Sequence, residues 1–154
     1  MVKGRILVLF VLAVVLMATV GAAAAVAQNT ESTSAESTSA SSDHITVKLQ
    51  PVNGTDVHGT VDLRQLSGGG THIDVTAKGL RPGSKHVSLY YDNHVCQFEP
   101  YNRDDVIGGI YKANQNGVGH TADRVDDNLD EINSVSVRSA LTFKLLACAD
   151  VHPA

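Results

Sequence analysis

Histidine is the residue type with the greatest capacity for chemistry in this chain. Seven are present, all beyond the first 43 residues: His44, His58, His72, His86, His94, His120 and His152. Imidazole nitrogens bind zinc and copper, so these histidines are the first candidates for a metal site. Such a site needs ligands that converge from several segments and partners that orient them.

Two local arrangements favour metal more than the others do. His86 and His94 would approach one ion if the chain bends at Asp92 and Asn93. His72 and Asp74 are two residues apart, which places them on one face of a strand. Four histidines are therefore the metal candidates, namely His72, His86, His94 and His120. For each pair the pattern favours solvated strand-face residues over ligands.

Other catalytic patterns are missing from the sequence. It contains no Gly-x-Ser-x-Gly nucleophile turn, no phosphate-binding Walker loop, no His-Glu-x-x-His and no Cys-x-x-Cys. The glycine run at residues 68–70 lies between two predicted strands, so it does not precede a helix that would bind phosphate. The sequence therefore predicts no catalytic residue.

The N-terminal segment has the pattern of a secretory signal peptide. Lys3 and Arg5 precede an uninterrupted apolar run over residues 6–20, and Ala25-Val26-Ala27 forms an A-x-A cleavage site. We predict a signal peptide over residues 1–27, cleaved after Ala27, and a periplasmic, envelope or secreted protein with no membrane contact after cleavage. The alternative is an uncleaved membrane anchor, because the apolar stretch nearly reaches the length of a span.

The mature chain divides into a spacer and one domain. Residues 28–43 are rich in Ser and Thr and cannot form a core, which predicts a disordered spacer. Residues 44–152 then form one domain of ordinary size. The formal net charge of the chain is −4, and it becomes more negative when Lys3 and Arg5 are removed. An acidic domain without a basic stripe excludes nucleic acid as the expected partner.

Two cysteines, Cys96 and Cys148, are present. In an exported protein a small, even number of cysteines predicts one disulfide bond. The alternative is a pair of buried free thiols.

Beyond the spacer the pattern is that of short β-strands. Apolar residues alternate with polar ones around residues 45–49, 57–63, 73–77, 86–90, 110–113, 134–138 and 141–148. Turn signals separate the runs, including Asn53-Gly54 and a hairpin signal at Asn116-Gly117. Residues 123–132 are compatible with a short helical turn or with a strand and a loop. This spacing predicts an all-β sandwich or barrel.

Five segments resemble the copper/zinc superoxide dismutases, in the family's order. They are residues 79–83 (GLRPG), the segment at Cys96, residues 109–118 (GIYKANQNGV), residues 134–141 (SVSVRSAL) and residues 145–148 (LLAC). The resemblance implies a Greek-key β-barrel whose disulfide joins Cys96 to Cys148.

The same resemblance implies a metal site that this chain lacks. Family members hold copper with four histidines and zinc with three histidines and an aspartate. Ser88 and Tyr90 stand where two copper ligands are expected, and no histidine follows Cys96 in the bridging segment. Asp104 or Asp105 is the remaining zinc candidate.

The sequence therefore favours a non-catalytic domain that binds a protein or glycan partner or serves a structural role. An aromatic cluster around Cys96, including Tyr90, Tyr91, Phe98, Tyr101 and Tyr111, either fills the former metal cavity or forms a binding patch. Two alternatives remain open. One is a superoxide dismutase-type copper enzyme with a rearranged histidine site, and the other is a copper or zinc carrier without turnover.

Overall fold

A computed structural model describes residues 43–99 and 105–153. These residues form eight antiparallel β-strands. The strands are β1 (His44–Pro51), β2 (His58–Gln65), β3 (Thr71–Lys78), β4 (Lys85–Tyr91), β5 (Val106–Lys112), β6 (Gly119–Val125), β7 (Ser134–Ser139) and β8 (Leu145–Asp150). The predicted all-β fold is confirmed.

The strands form a nearly closed barrel in the order β5-β4-β7-β8-β1-β2-β3-β6. The barrel has two halves, one formed by β2, β3 and β6 and the other by β5, β4, β7 and β8. Strand β1 belongs to both, because His44 to Leu49 pair with β2 while Gln50 and Pro51 pair with β8. Strands β5 and β6 stand at the two ends of this order. Side chains of β6 connect them: the Asp123 carboxylate accepts the Gly108 N–H at 3.2 Å, and the Thr121 hydroxyl donates to the Ile107 carbonyl at 3.0 Å.

Gly108 permits this close approach of β5 and β6. Its φ of +63° lies in the left-handed region, and a Cβ atom there would lie 2.4 Å from Oγ1 of Thr121. The β4–β5 pairing shifts register at this point, since Ser88 pairs with Ile107 while Val87 pairs with Ile110. The extra residues on β5 form a bulge that bends the strand towards β6.

The barrel interior is filled by the inward residues of alternating strands. Val61, Leu63, Ile73 and Val75 are fully buried, as their alternation with polar residues predicts. A second, smaller apolar cluster lies outside the barrel wall and contains Val87, Leu89, Tyr91 and Cys96. Strand β4 is therefore covered on both faces, and six of its seven residues are buried.

The final strand begins later than its apolar pattern predicts. We expected a strand over residues 141–148 with Phe143 and Leu145 on one face, but β8 starts at Leu145. Phe143 has a φ of +56°, and its N–H donates to the Ser139 carbonyl at 2.8 Å, which closes a tight turn. Phe143 consequently lies 41% exposed outside the barrel.

The Asn116-Gly117 signal marks a true turn but not a ladder between consecutive strands. Gly117 N–H donates to the Asn114 carbonyl at 3.1 Å. The strands it joins, β5 and β6, pair instead with β4 and β3. Residues 123–132 complete β6 and continue as a loop, so the strand-and-loop alternative is right.

The predicted signal peptide (1–27), nearly all of the spacer (28–43), Tyr101 and Asp104 lie outside the described residues. Within residues 43–99 and 105–153, no helix has the length and apolar character needed to cross a membrane.

Candidate functional site

The interior face of β4 carries the positions where the resemblance places copper ligands. Ser88 is fully buried, and its hydroxyl shares a hydrogen bond of 3.0 Å with the Tyr111 hydroxyl on β5. Tyr90, two residues further along the same face, is 6% exposed and belongs to the main core. These two positions therefore hold a buried serine that is hydrogen-bonded to Tyr111 and a core aromatic ring.

Tyr111 closes this polar pair from the neighbouring strand. Burial raises the pKa of its phenol to about 12, while the hydrogen bond from Ser88 acts in the opposite direction. The phenol is therefore protonated at neutral pH and cannot serve as a phenolate ligand without losing a strongly held proton.

His86 is the one candidate histidine inside the barrel wall. It is 4% exposed, and its ring lies 5.9 Å from the Tyr111 ring, centroid to centroid. Its Nε2 is 2.6 Å from the Ser84 hydroxyl oxygen. The Ser84 O–H donates to the Arg81 carbonyl, so the neutral ring must donate its Nε2–H to Ser84.

This arrangement leaves Nδ1 of His86 buried without a hydrogen-bond partner of adequate geometry. Burial lowers the pKa of His86, and the nearby Arg138 backbone carbonyl acts in the opposite direction because it favours the protonated ring. Since Nδ1 meets that carbonyl only when it carries a proton, the neutral ring at pH 7 keeps one polar atom unsatisfied.

The other three metal candidates lie elsewhere on the barrel. His94 pairs with Asp150 at 2.7 Å, and His120 pairs with Asp74 at 2.9 Å on the outer face. His72 also lies on the outer face of β3, but Asp74 binds His120 instead.

The structure does not bring His86 and His94 together. His86 lies near the start of β4, whereas His94 follows its end and bonds Asp150. The part of β4 between His86 and Tyr91 is about 17 Å long, at roughly 3.3 Å per residue, and His94 lies beyond its end. Among residues 43–99 and 105–153, no three His, Cys, Asp or Glu side chains are grouped to hold a metal ion.

The disulfide between Cys96 and Cys148 is confirmed. The sulfur atoms are 2.04 Å apart and the Cα atoms 6.0 Å apart. The bond ties the segment after β4 to β8, over the outer cluster of apolar residues. The alternative of two free thiols is excluded.

A buried arginine beneath this segment is the main feature that the sequence did not reveal. Arg138 is 5% exposed. Its guanidinium donates to the Tyr91 hydroxyl at 2.8 Å, the Phe143 carbonyl at 2.9 Å and the Cys96 carbonyl at 2.7 Å. The Phe98 ring covers it at 3.8 Å. The sequence did contain a sign of this position: Arg138 alternates with Ser134 and Ser136 on one face of β7, and β7 pairs with the strand that carries Cys148.

An apolar groove of about 440 Å³ lies beside the Arg138 segment on the barrel exterior. Its wall includes Val106, Ile110 and Phe143, and Asp123 supplies its charged group. Ile110 is 66% exposed and Leu141, next to the groove in sequence, is 89% exposed. Exposed apolar side chains at one place on a small domain are typical of a contact surface.

Comparison with known proteins identifies no relative: no protein-family model matches the chain, and no curated protein matches it either.

Proposed function

We propose that this protein is an exported, superoxide dismutase-like barrel that binds a partner or serves structurally and does not catalyse. The observation that carries the proposal is the hydrogen bond of 3.0 Å that buried Ser88 makes with Tyr111, at a position where the resemblance requires a copper-binding imidazole. A redox reaction at copper needs several imidazole ligands around one ion. The interior face of β4 offers a hydroxyl and a core tyrosine at those positions instead.

The residues present do not fit copper or zinc. Neither the neutral Ser88 hydroxyl nor the Tyr111 phenol, with its pKa raised to about 12, is a good ligand. His86 is the nearest imidazole, and its Nε2–H is already donated to Ser84. We therefore propose neither a dismutase reaction nor a metal-carrying role.

Hydrolytic chemistry at Ser84 and His86 is also unsupported. A nucleophilic serine donates its proton to the histidine, but the Ser84 hydroxyl donates to the Arg81 carbonyl. The neighbouring backbone N–H groups are occupied as well, since Gly83 donates to the Ala113 carbonyl and Ser84 to the Arg81 carbonyl. No oxyanion-binding pair of N–H groups is left at this turn.

Two features support the resemblance to the superoxide dismutase fold. Pairs of strands that are distant in sequence lie side by side, namely β3 with β6, β4 with β7 and β1 with β8, as in Greek-key barrels. Two of the resembling segments also lie where the resemblance implies them: the GLRPG turn precedes β4, and LLAC lies on β8 next to β7.

Two further observations support export and binding. The Cys96–Cys148 disulfide fits an oxidising compartment such as the periplasm or the extracellular space. The groove with exposed Ile110 and Phe143 supports contact with a partner.

A superoxide-consumption assay tests the proposal. The purified protein is incubated with copper and zinc, freed of loose metal and compared with buffer carrying the same residual metal. We expect the two rates to be equal. Metal-dependent consumption that is lost in the His86→Gln, His94→Gln double variant would overturn the proposal in favour of a rearranged copper site.

A further inference from the structure

We infer that the outer face of β1, β2 and β3 carries a binding site for a carboxylate- or sulfate-bearing saccharide. The site, here called the cationic groove, has a volume of about 400 Å³. Its polar side chains are Lys48, Gln50, His58, Thr60, Thr76 and Lys78. This inference goes beyond the proposed function, because it does not depend on the inactivity of the barrel interior.

Strand register makes the cationic groove a compact block. Lys48, Thr60 and Thr76 form one cross-strand row, and His58 and Lys78 form the next row. The two lysines stand at opposite corners, with Cα atoms about 12 Å apart given strand spacings of roughly 4.8 Å and rises of roughly 3.4 Å. Their long side chains can therefore approach one ligand from two sides, over the threonine hydroxyls.

Gly59 permits the close packing of β2 and β3 beneath the groove. A Cβ atom at this position would lie 1.9 Å from the Thr76 carbonyl oxygen. The residue pairs with Ala77 on β3. The backbone under Thr60 and Thr76 is therefore held tightly, which fixes the spacing of the two hydroxyls.

The charged groups of the cationic groove are not used by the fold. Within residues 43–99 and 105–153, neither Lys48 nor Lys78 forms an ion pair, and no carboxylate lines the groove. His58 is oriented by a 2.8 Å contact between its Nδ1 and the Asp56 carbonyl, which leaves Nε2 available. The site thus presents two unpaired cations and no carboxylate, on a chain whose formal net charge is −4.

The adjacent groove on the same barrel face shows the contrast. It is lined by His44, Asp62, Arg64, His72 and Asp74. Its carboxylates are engaged, because Asp62 accepts a 2.6 Å hydrogen bond from Thr46 and Asp74 pairs with His120 at 2.9 Å. That groove therefore contains carboxylates beside its arginine, whereas the charged groups of the cationic groove are lysines.

The lining favours an acidic saccharide over other anions. Lysine attracts any anion as a point charge, so the lysines set the sign of the ligand's charge and the neutral polar groups set its class. Two hydroxyls and a carboxamide suit the hydroxyl groups of a sugar. The single large apolar residue of the lining, Leu49, is 2% exposed, so the groove offers no side chain to enter a lipid bilayer.

Calorimetric titration with a sulfated dextran oligomer tests the inference, with neutral dextran of the same length as the ligand control. The Lys48→Ala, Lys78→Ala variant removes two exposed cations from the groove. The matched control is Lys85→Ala, Lys112→Ala. It removes two exposed lysines that stand opposite each other on β4 and β5, away from the groove. Circular dichroism checks that both variants fold.

We expect the sulfated oligomer to bind the wild-type protein and the Lys85, Lys112 control with similar affinity. The Lys48, Lys78 variant should bind about tenfold more weakly, the effect of losing two charge-assisted contacts. Equal weakening in both double variants would overturn the inference, since it would mean attraction to any cation of the protein. No binding by the wild-type protein would also overturn it.

A charge-neutral variant distinguishes a saccharide from other polyanions. Thr60→Val, Thr76→Val keeps strand-forming β-branched residues and every charge but removes both hydroxyls. We expect about fivefold weaker binding of the sulfated oligomer, from the loss of two hydrogen bonds. Unchanged saccharide binding, or tighter binding to vesicles of phosphatidylglycerol than to the oligomer, would refute the assignment to saccharides. Superoxide assays are unaffected by these variants, so failure here leaves the proposed function standing.

Discussion

Replacement of Arg138 by leucine measures how much the buried guanidinium contributes to folding. Arg138 donates three hydrogen bonds, to the Tyr91 hydroxyl, the Cys96 carbonyl and the Phe143 carbonyl. Leucine fills part of the space and removes the cost of burying a charge. The Cys96 and Phe143 carbonyls then lose their guanidinium donors, while the Tyr91 hydroxyl keeps its 2.9 Å hydrogen bond with Ser136. Hydrogen bonds from a charged donor contribute about 1.5–3 kcal/mol each. We expect a net loss of about 4 kcal/mol in the free energy of unfolding, because the lost bonds outweigh the desolvation cost that leucine removes.

Two further substitutions calibrate this result. Arg138→Lys keeps the charge but cannot reach three acceptors in a fork, so we expect it to lose about half as much stability. Arg124→Leu is the surface control, because exposed Arg124 donates one side-chain hydrogen bond, to the Gly69 carbonyl at 3.1 Å. Its loss should stay below about 1 kcal/mol.

Urea unfolding followed by circular dichroism, with the disulfide intact, measures these free energies. An unchanged dependence on urea concentration indicates that the same surface is exposed on unfolding. A loss under about 1 kcal/mol for Arg138→Leu would refute the view that this side chain anchors the disulfide segment. Equal losses for Arg138→Leu and Arg124→Leu would refute it as well.

The remaining predictions concern the barrel wall. Burial lowers the pKa of His86, so the unfolded chain binds the proton more readily and the free energy of unfolding should fall as pH drops below 6.5. Urea unfolding at several pH values should show a shallower fall of this free energy in His86→Gln. The same slope in the variant and the wild-type protein would contradict this. Ser88→Ala should cost about 1–3 kcal/mol by leaving the Tyr111 hydroxyl unsatisfied. A double-mutant cycle with Tyr111→Phe should give a coupling above about 0.5 kcal/mol, whereas additive losses would argue against the hydrogen bond. Gly59→Ala should lower the thermal midpoint by the equivalent of about 3 kcal/mol, because its Cβ meets the Thr76 carbonyl, and an unchanged midpoint would contradict this close contact.

Local patterns predicted much of the fold. Alternation of apolar and polar residues located β1 to β3 and the buried residues Val61, Leu63, Ile73 and Val75, since one face of each strand lies against the core. The same rule explains why the neighbouring residues Tyr90 and Tyr91 lie in different clusters.

Long-range pairing was harder to predict. Asn116-Gly117 forms a turn, yet the strands on either side pair with β4 and β3, because barrel closure and core packing outweigh a local turn preference. The apolar residues 141–143 resembled a strand but form a turn, since the Ser139 carbonyl accepts the Phe143 N–H. Such hydrogen bonds depend on backbone geometry that an apolar pattern does not encode.

The candidate site was predicted in part. The resemblance to the superoxide dismutases directed attention to Ser88 and Tyr90 as poor ligands, but it did not reveal that Tyr111 reaches Ser88 from β5. The bulge at Gly108 sets that contact by shifting the register of β5 against β4. The cationic groove was missed for the same reason, because its six polar side chains come from three strands and meet only once the register is known.

Copper stoichiometry tests the central claim most directly. The purified protein is loaded with Cu(II), freed of weakly bound ions by gel filtration and analysed for metal per chain. Ser88 and Tyr111 are hydrogen-bonded to each other, and His86 donates its Nε2–H to Ser84. We therefore expect copper far below one ion per chain and unchanged His86 ring resonances. One retained copper ion per chain, lost on replacing His86 by glutamine, would contradict it.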